Sequence, residues 1–222
     1  MSQEDSAGRA HEVRIPPLDL PGTLRVPRNA FALVVFAHGS GSSRLSPRNV
    51  AVAEALNRHG LATLLFDLLK PGEEEANNRA KVFDIALLGE RLIDAIRWID
   101  HGSPLKGARI GLFGASTGAA AALVAAARLG ARISAVVSRG GRPDLAGDFL
   151  ASVRAPTLLI VGGEDHGVIE LNEQAYAQLA GPKNLIIVPG ATHLFSEPGT
   201  LEQVMAQAAG WFEQHLHAAQ AR

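Results

Sequence analysis

Residues 109–118 read RIGLFGASTG, and residues 119–129 continue AAAALVAAARL before Gly130. Ile110–Phe113 is a short apolar run, as expected of a strand buried on both faces. Thr117–Leu129 is a mostly alanine helix closed by a glycine. Between them lies Gly114-Ala115-Ser116-Thr117-Gly118, a G-x-S-x-G turn in the strand–turn–helix setting that the motif requires. A serine at the tip of so sharp a turn takes strained backbone angles. Side chains on its neighbours would crowd the turn, so glycine is favoured on both sides. The following helix points its N-terminal N–H groups at the serine, where they favour the negative charge that develops on an attacked carbonyl. Taken alone, the turn is equally compatible with a tightly packed βα connection that carries no chemistry.

Outward from this unit the same alternation recurs. Strands are expected at Glu12–Ile15, Gly22–Val26, Ala32–Ala37, Ala62–Phe66, Ile133–Val137, Thr157–Val161 and Asn184–Val188. Helices are expected at Val50–Arg58 (ending at His59-Gly60), Phe83–Asp100, Ile169–Leu179 and Leu201–His217. In Phe83–Asp100 the residues Ile85, Leu88, Leu92, Ile96 and Ile99 form one stripe. Strand-then-helix repetition predicts an α/β domain with a mostly parallel sheet. The first two strands have no helix between them and are expected to form an antiparallel edge joined near Pro21-Gly22. Lys70–Lys81 reads as a surface loop. Residues 1–8 are expected to be a flexible tail and 9–222 one domain, without room for a large cap.

Composition limits the partners. The 222 residues carry a formal net charge of −1, with 47% hydrophobic and 19% charged residues, which describes a globular chain with no pull towards nucleic acid or an anionic membrane. There is no cysteine, so disulfides, thiolate metal sites and a cysteine nucleophile are all ruled out. The eight histidines show no H-x-x-x-H helix pair, and no metal or cofactor is expected. No apolar run approaches the ~18–20 residues of a membrane helix. Met1–Ala10 lacks the charge and apolar pattern of a secretory leader. A soluble, cytoplasmic protein is the expectation, and no oligomeric state is read from the sequence.

A nucleophilic serine needs a base, and the base needs an orienting carboxylate. Strand Thr157–Val161 ends in Gly162-Gly163-Glu164-Asp165-His166-Gly167, and strand Asn184–Val188 ends in Pro189-Gly190-Ala191-Thr192-His193. Both loops follow strand C-termini and share the rim of the sheet with Ser116. Asp165 and His193 are therefore the candidate acid and base. Glu164 remains open as a substitute acid. His166 follows the wrong strand to be the base. The strand Ala32–Ala37 runs into His38-Gly39-Ser40-Gly41-Ser42-Ser43, a glycine-rich loop suited to aiming backbone N–H groups at one point. The N–H groups of Ser40 and Thr117 are the expected oxyanion donors. The His38 ring is expected to tie this loop together, and His38 and Gly39 are candidates for the substrate wall.

Segments HGSGS, GASTG, GGEDHGV and GATHLF together resemble the marker segments of α/β-hydrolases, in particular the small dienelactone hydrolase-like branch, over about residues 12–217. The resemblance implies a single-domain α/β-hydrolase fold with minimal or no cap, and a serine or cysteine hydrolase acting on esters, lactones or related acyl compounds. By position it makes Ser116 the nucleophile, Asp165 the acid and His193 the base. Dienelactone hydrolases proper carry cysteine in the nucleophile turn, and this chain carries serine, which puts dienelactone itself in doubt as the substrate.

Two other classes compete. Arg109–Arg139 also resembles the cofactor unit of short-chain dehydrogenases, where Arg139 would meet an NADP 2′-phosphate. Several elements precede that unit here, however, and the only tyrosine, Tyr176, has Ala180 four residues later in place of a catalytic lysine. A non-catalytic binding protein on the same scaffold is the second, opposed by the presence of all three triad members. For the substrate side, Asp67 either lines the site or braces the oxyanion loop. Arg139 and Arg142 either bind a substrate carboxylate or phosphate or form surface ion pairs with Asp144 or Asp148. Phe195 is expected to close a small apolar pocket.

Overall fold

The apolar runs become eight strands of one sheet in a computed structural model that describes residues 8–73 and 79–217. They are β1 Ala10–Ile15, β2 Leu20–Arg25, β3 Ala32–Ala37, β4 Leu61–Phe66, β5 Arg109–Ala115, β6 Ile133–Arg139, β7 Thr157–Gly162 and β8 Lys183–Val188. Their lateral order is β1-β2-β4-β3-β5-β6-β7-β8. β1 and β2 run antiparallel to their neighbours, and every pairing from β4 to β8 is parallel. β3, β4 and β7 are buried along their whole length, which is why ALVVFA, LATLLF and TLLIVG show no polar alternation: helices cover both faces.

The helices are α1 Pro47–Arg58, α2 Arg79–Val82, α3 Ile85–Gly102, α4 Thr117–Leu129, α5 His166–Gln178 and α6 Thr200–Leu216, with 3₁₀ segments at Gly130–Arg132 and Pro143–Ser152. α3, α4 and α5 pack into the core on one face, and α1 and α6 on the other. On α3, Leu88, Leu92, Ile96 and Ile99 are buried, and the side chain of Asp84 caps the helix by accepting from the Leu87 N–H at 3.0 Å. α4 lies between β5 and α3, so its residues from Thr117 to Ala126 are all buried. Alanine suits a helix covered on every side, because small side chains let the backbones come close.

Two expectations need correction. The β1–β2 hairpin turns through Pro16–Asp19, and Pro21-Gly22 lie inside β2. The burial alternation starts earlier, at Leu20, Gly22 and Leu24, and Asp19 takes the left-handed turn position at φ 57°. Nor is Lys70–Lys81 simply a surface loop. Glu73 is clamped by Arg91 at 2.6 and 3.1 Å and by Lys81 at 2.9 Å, and α2 occupies its end. Residues 74–78, like most of the expected tail (residues 1–7), lie outside the described residues. No described helix is long and apolar enough to cross a membrane.

Candidate active site

β5 ends at the centre of the sheet and passes through Ser116 directly into α4. Ser116 has φ 52° and ψ −125°, a conformation that costs a non-glycine residue about 1–3 kcal/mol. Backbone bonds hold it there. Its N–H donates to the Arg139 carbonyl at 3.3 Å, and its carbonyl accepts from the N–H groups of Ala119 (3.1 Å) and Arg142 (3.0 Å). The flanking glycines are required by close approach. A Cβ on Gly114 would lie 2.4 Å from Ala119 Cα, and one on Gly118 would lie 2.2 Å from the Ala37 carbonyl oxygen.

Asp165 occupies the residue before the first turn of α5, after β7, with its side chain making no capping bond, and His193 lies in the loop after β8. Their side chains meet: His193 Nδ1 donates to Asp165 Oδ2 at 2.7 Å. That bond leaves Nε2 as the free nitrogen of the ring. Glu164 points elsewhere, exposed and 3.9 Å from the exposed His166, so geometry selects Asp165 as the partner. Ser116 and His193 line one cavity of about 690 Å³. No hydrogen bond joins them among the described residues, a looseness common in triads without substrate. The His193 loop has a brace that sequence reasoning missed. Glu197 accepts from the Thr192 N–H at 3.1 Å and hydroxyl at 2.6 Å, and the Thr192 hydroxyl holds the Glu197 carboxyl below its ordinary range.

The remaining candidates divide. Gly39 and Ser40 line the cavity beside Ser116. The Ser40 N–H donates to Thr117 Oγ1 at 3.0 Å, so this donor is engaged by a protein hydroxyl rather than open. His38 and Asp67 are not on the cavity wall, which corrects their placement as substrate contacts. His38 is buried: Nδ1 bonds the Gly39 carbonyl at 3.0 Å, and Nε2 accepts from the Leu68 N–H at 2.9 Å. Asp67 accepts from the Arg44 N–H and Nη1, both at 2.7 Å, bracing the serine-rich loop. Phe195 is corrected too. Its backbone turns at φ 53°, and its ring goes into the core, leaving Leu194 exposed on the cavity wall. Arg142 pairs with Asp144 at 2.9 and 2.8 Å. Arg139 has no carboxylate partner among the described residues and lines the cavity with Arg48, which sequence reasoning did not single out. The available signal was Ser46-Pro47, a helix start that places Arg48 on the first turn of α1.

A strained serine after a central strand, with a histidine–aspartate pair at the ends of later strands, defines a class of fold and site. The family model for the alpha/beta hydrolase fold matches residues 32–148. The chain belongs to the α/β-hydrolase family, in its dienelactone hydrolase-like branch. It is 52% identical to a dienelactone hydrolase from Anabaena variabilis of known structure, with a TM-score of 0.89 and 94% of this chain and 98% of that one covered. Est1E from Butyrivibrio proteoclasticus shares the fold at 18% identity, with a TM-score of 0.77 and coverage of 94% and 99%. A Mycobacterium tuberculosis protein provisionally named a phosphoribosyl transferase is 59% identical over 210 residues, 94% of this chain. The chain spans 47% of that relative's length, so about half of the relative has no counterpart here.

Proposed function

We propose that the protein is a serine hydrolase cleaving a small ester, lactone or related acyl compound through an acyl-enzyme on Ser116. The observation that carries this reading is the 2.7 Å His193–Asp165 pair on the same cavity as a serine held at φ 52°. In the mechanism, His193 Nε2 takes the Ser116 hydroxyl proton as Oγ attacks the acyl carbon. Asp165 fixes the imidazole tautomer and stabilises the imidazolium without itself taking the proton. The carbonyl oxygen becomes an oxyanion and is received by the Thr117 N–H at the positive head of α4. The Ser40 N–H is the second donor once the Thr117 hydroxyl rotates off it. His193 then protonates the leaving oxygen, and water repeats the sequence on the acyl-enzyme. The dienelactone hydrolase named among the relatives supports an ester or lactone as substrate class. Action in the cytoplasm is part of the same proposal, and the cysteine-free composition is compatible with it.

The test is labelling with a fluorophosphonate probe, followed by an ester panel of varied acyl length. The wild type should label and Ser116→Ala should not. Ester turnover should fall at least ~10³-fold in Ser116→Ala and His193→Ala. A wild type that does not label, or a Ser116→Ala variant that keeps most esterase activity, removes the reading.

A further inference from the structure

Two arginines line the cavity that holds Ser116 and His193. Arg139 ends β6, in register with Ala115 next to the nucleophile turn, and only 6% of its surface is exposed. Its guanidinium makes one hydrogen bond, from Nη2 to Asn49 Oδ1 at 3.1 Å, while Nε is buried with no partner. Arg48 sits half-buried on the first turn of α1, and its Nε is likewise buried and unpartnered. Neither forms an ion pair among the described residues. Elsewhere the covered arginines do: Arg91, Arg44, Arg132 and Arg142 each meet a carboxylate at 2.6–2.8 Å.

A guanidinium withdrawn from water without a counter-charge is costly, and Arg139 bears that cost beside the charge of the half-buried Arg48. Burial, and then the charge of Arg48, pull the Arg139 pKa down to about 10, which still leaves Arg139 cationic near neutral pH. The 12-residue α1 adds to this. Its N-terminus has no side-chain cap and meets the cavity through Ser46 and Pro47, bringing a partial positive charge of roughly half a unit. A carboxylate supplies one negative charge against this set. A phosphate monoester supplies about 1.5 to 2 and three acceptor oxygens, enough to answer both forks.

Resting on the hydrolase reading above, we propose that the substrate is an ester or lactone bearing a phosphate monoester, held by Arg48, Arg139 and the head of α1. The phosphate is a handle. Water cleaves the acyl C–O bond through Ser116, and no P–O bond breaks. A cavity of about 690 Å³ has room for a small molecule of this kind.

Inorganic phosphate is the direct probe, measured by calorimetry and thermal shift on the wild type and on Ser116→Ala. Phosphate should bind both proteins alike, at least about tenfold more tightly than acetate, and at least about tenfold more weakly in Arg48→Gln. Should Arg139→Gln fail to fold, Arg139→Lys keeps the charge without the fork and should lose affinity too. In turnover, 4-acetoxyphenyl phosphate should exceed phenyl acetate in kcat/KM by at least about tenfold, a ratio that shrinks in Arg48→Gln. Acetate binding as well as phosphate, or phosphate binding unchanged in Arg48→Gln, overturns the inference. Phosphate binding with no fluorophosphonate labelling sinks the hydrolase reading alone. Labelling without phosphate preference sinks only the phosphate handle.

Discussion

Ser116 shows how one residue can carry strain for a purpose: its backbone is held at φ 52° by three backbone hydrogen bonds, and the hydroxyl is thereby presented on the cavity wall. The carboxylate that meets His193 is placed as closely, at 2.7 Å. Asp165→Asn should lower kcat by about 10²–10⁴-fold, because an amide opposite Nδ1 favours the wrong tautomer. Glu164→Gln should stay within about twofold of wild type, since an exposed side chain away from His193 changes little. Comparable losses in both variants would mean that the pair at 2.7 Å is not the working one. Thr117 allows a finer test. Thr117→Val removes the acceptor that engages the Ser40 N–H. If that hydroxyl only occupies the donor, kcat should hold or rise. A fall of about 10²-fold, the loss expected for an oxyanion donor, would show that the hydroxyl itself serves the oxyanion. The shared placement of Ser116, Asp165 and His193 was legible because each follows a strand whose C-terminal end marks the same rim. The choice between Glu164 and Asp165 was not, because a sequence locates a turn only to within a residue. Arg48 was missed because the apolar periodicity of its helix starts at Val50, after the first turn.

At the scale of elements, the cavity depends on a loop that owes its shape to two side chains, His38 at its start and Asp67 after β4. Asp67 satisfies the Arg44 N–H, and His38 joins the Gly39 carbonyl to the Leu68 N–H, tying the end of β3 to the end of β4. Asp67→Ala leaves a part-buried N–H unpaired and breaks the Arg44 pair, a loss of about 1–3 kcal/mol. The expected result is a lower urea midpoint together with a reduced kcat, as the serine-rich loop on the cavity wall loosens. Asp67→Asn, which keeps an acceptor for the N–H, should recover part of both. A stability loss without any change in kcat would separate this brace from the site. Strands β3 to β8 were readable because strands of a covered parallel sheet are short unbroken apolar runs, whereas the alternation of β2 hid its start at Leu20. The 3₁₀ segment Pro143–Ser152 was not: its DLAGDFL sequence lacks a 3.6-residue stripe long enough to announce a helix, and a kink at Gly147 interrupts it.

For the molecule as a whole, clamped carboxylates predict how stability responds to acid. Glu73 is held well below its ordinary value of 4.5 by hydrogen bonds from Arg91, against the opposing effect of burial, with Lys81 and the Lys70 N–H assisting. Asp100 is held below 3.8 mainly by the Arg132 guanidinium. These pairs join α3 to the segment after β4 and to the 3₁₀ turn that leads into β6. A lowered folded pKa means that the unfolded chain binds more protons in the window between the two values, so stability rises with pH there. The contribution is complete above about pH 4.5 and is lost as pH falls through the lower folded values. Wild-type Tm should therefore hold between pH 7 and 5.5 as far as these groups are concerned, and fall steeply below 4.5. Glu73→Gln should be less stable at pH 7, by about 3 kcal/mol, because it leaves the buried Arg91 without its counter-charge. Its Tm should also decline less between pH 5 and 3 than that of the wild type, since one proton-linked group is gone. Parallel Tm–pH curves for the two proteins would show that Glu73 is not a source of the acid sensitivity, whatever its effect on stability at pH 7.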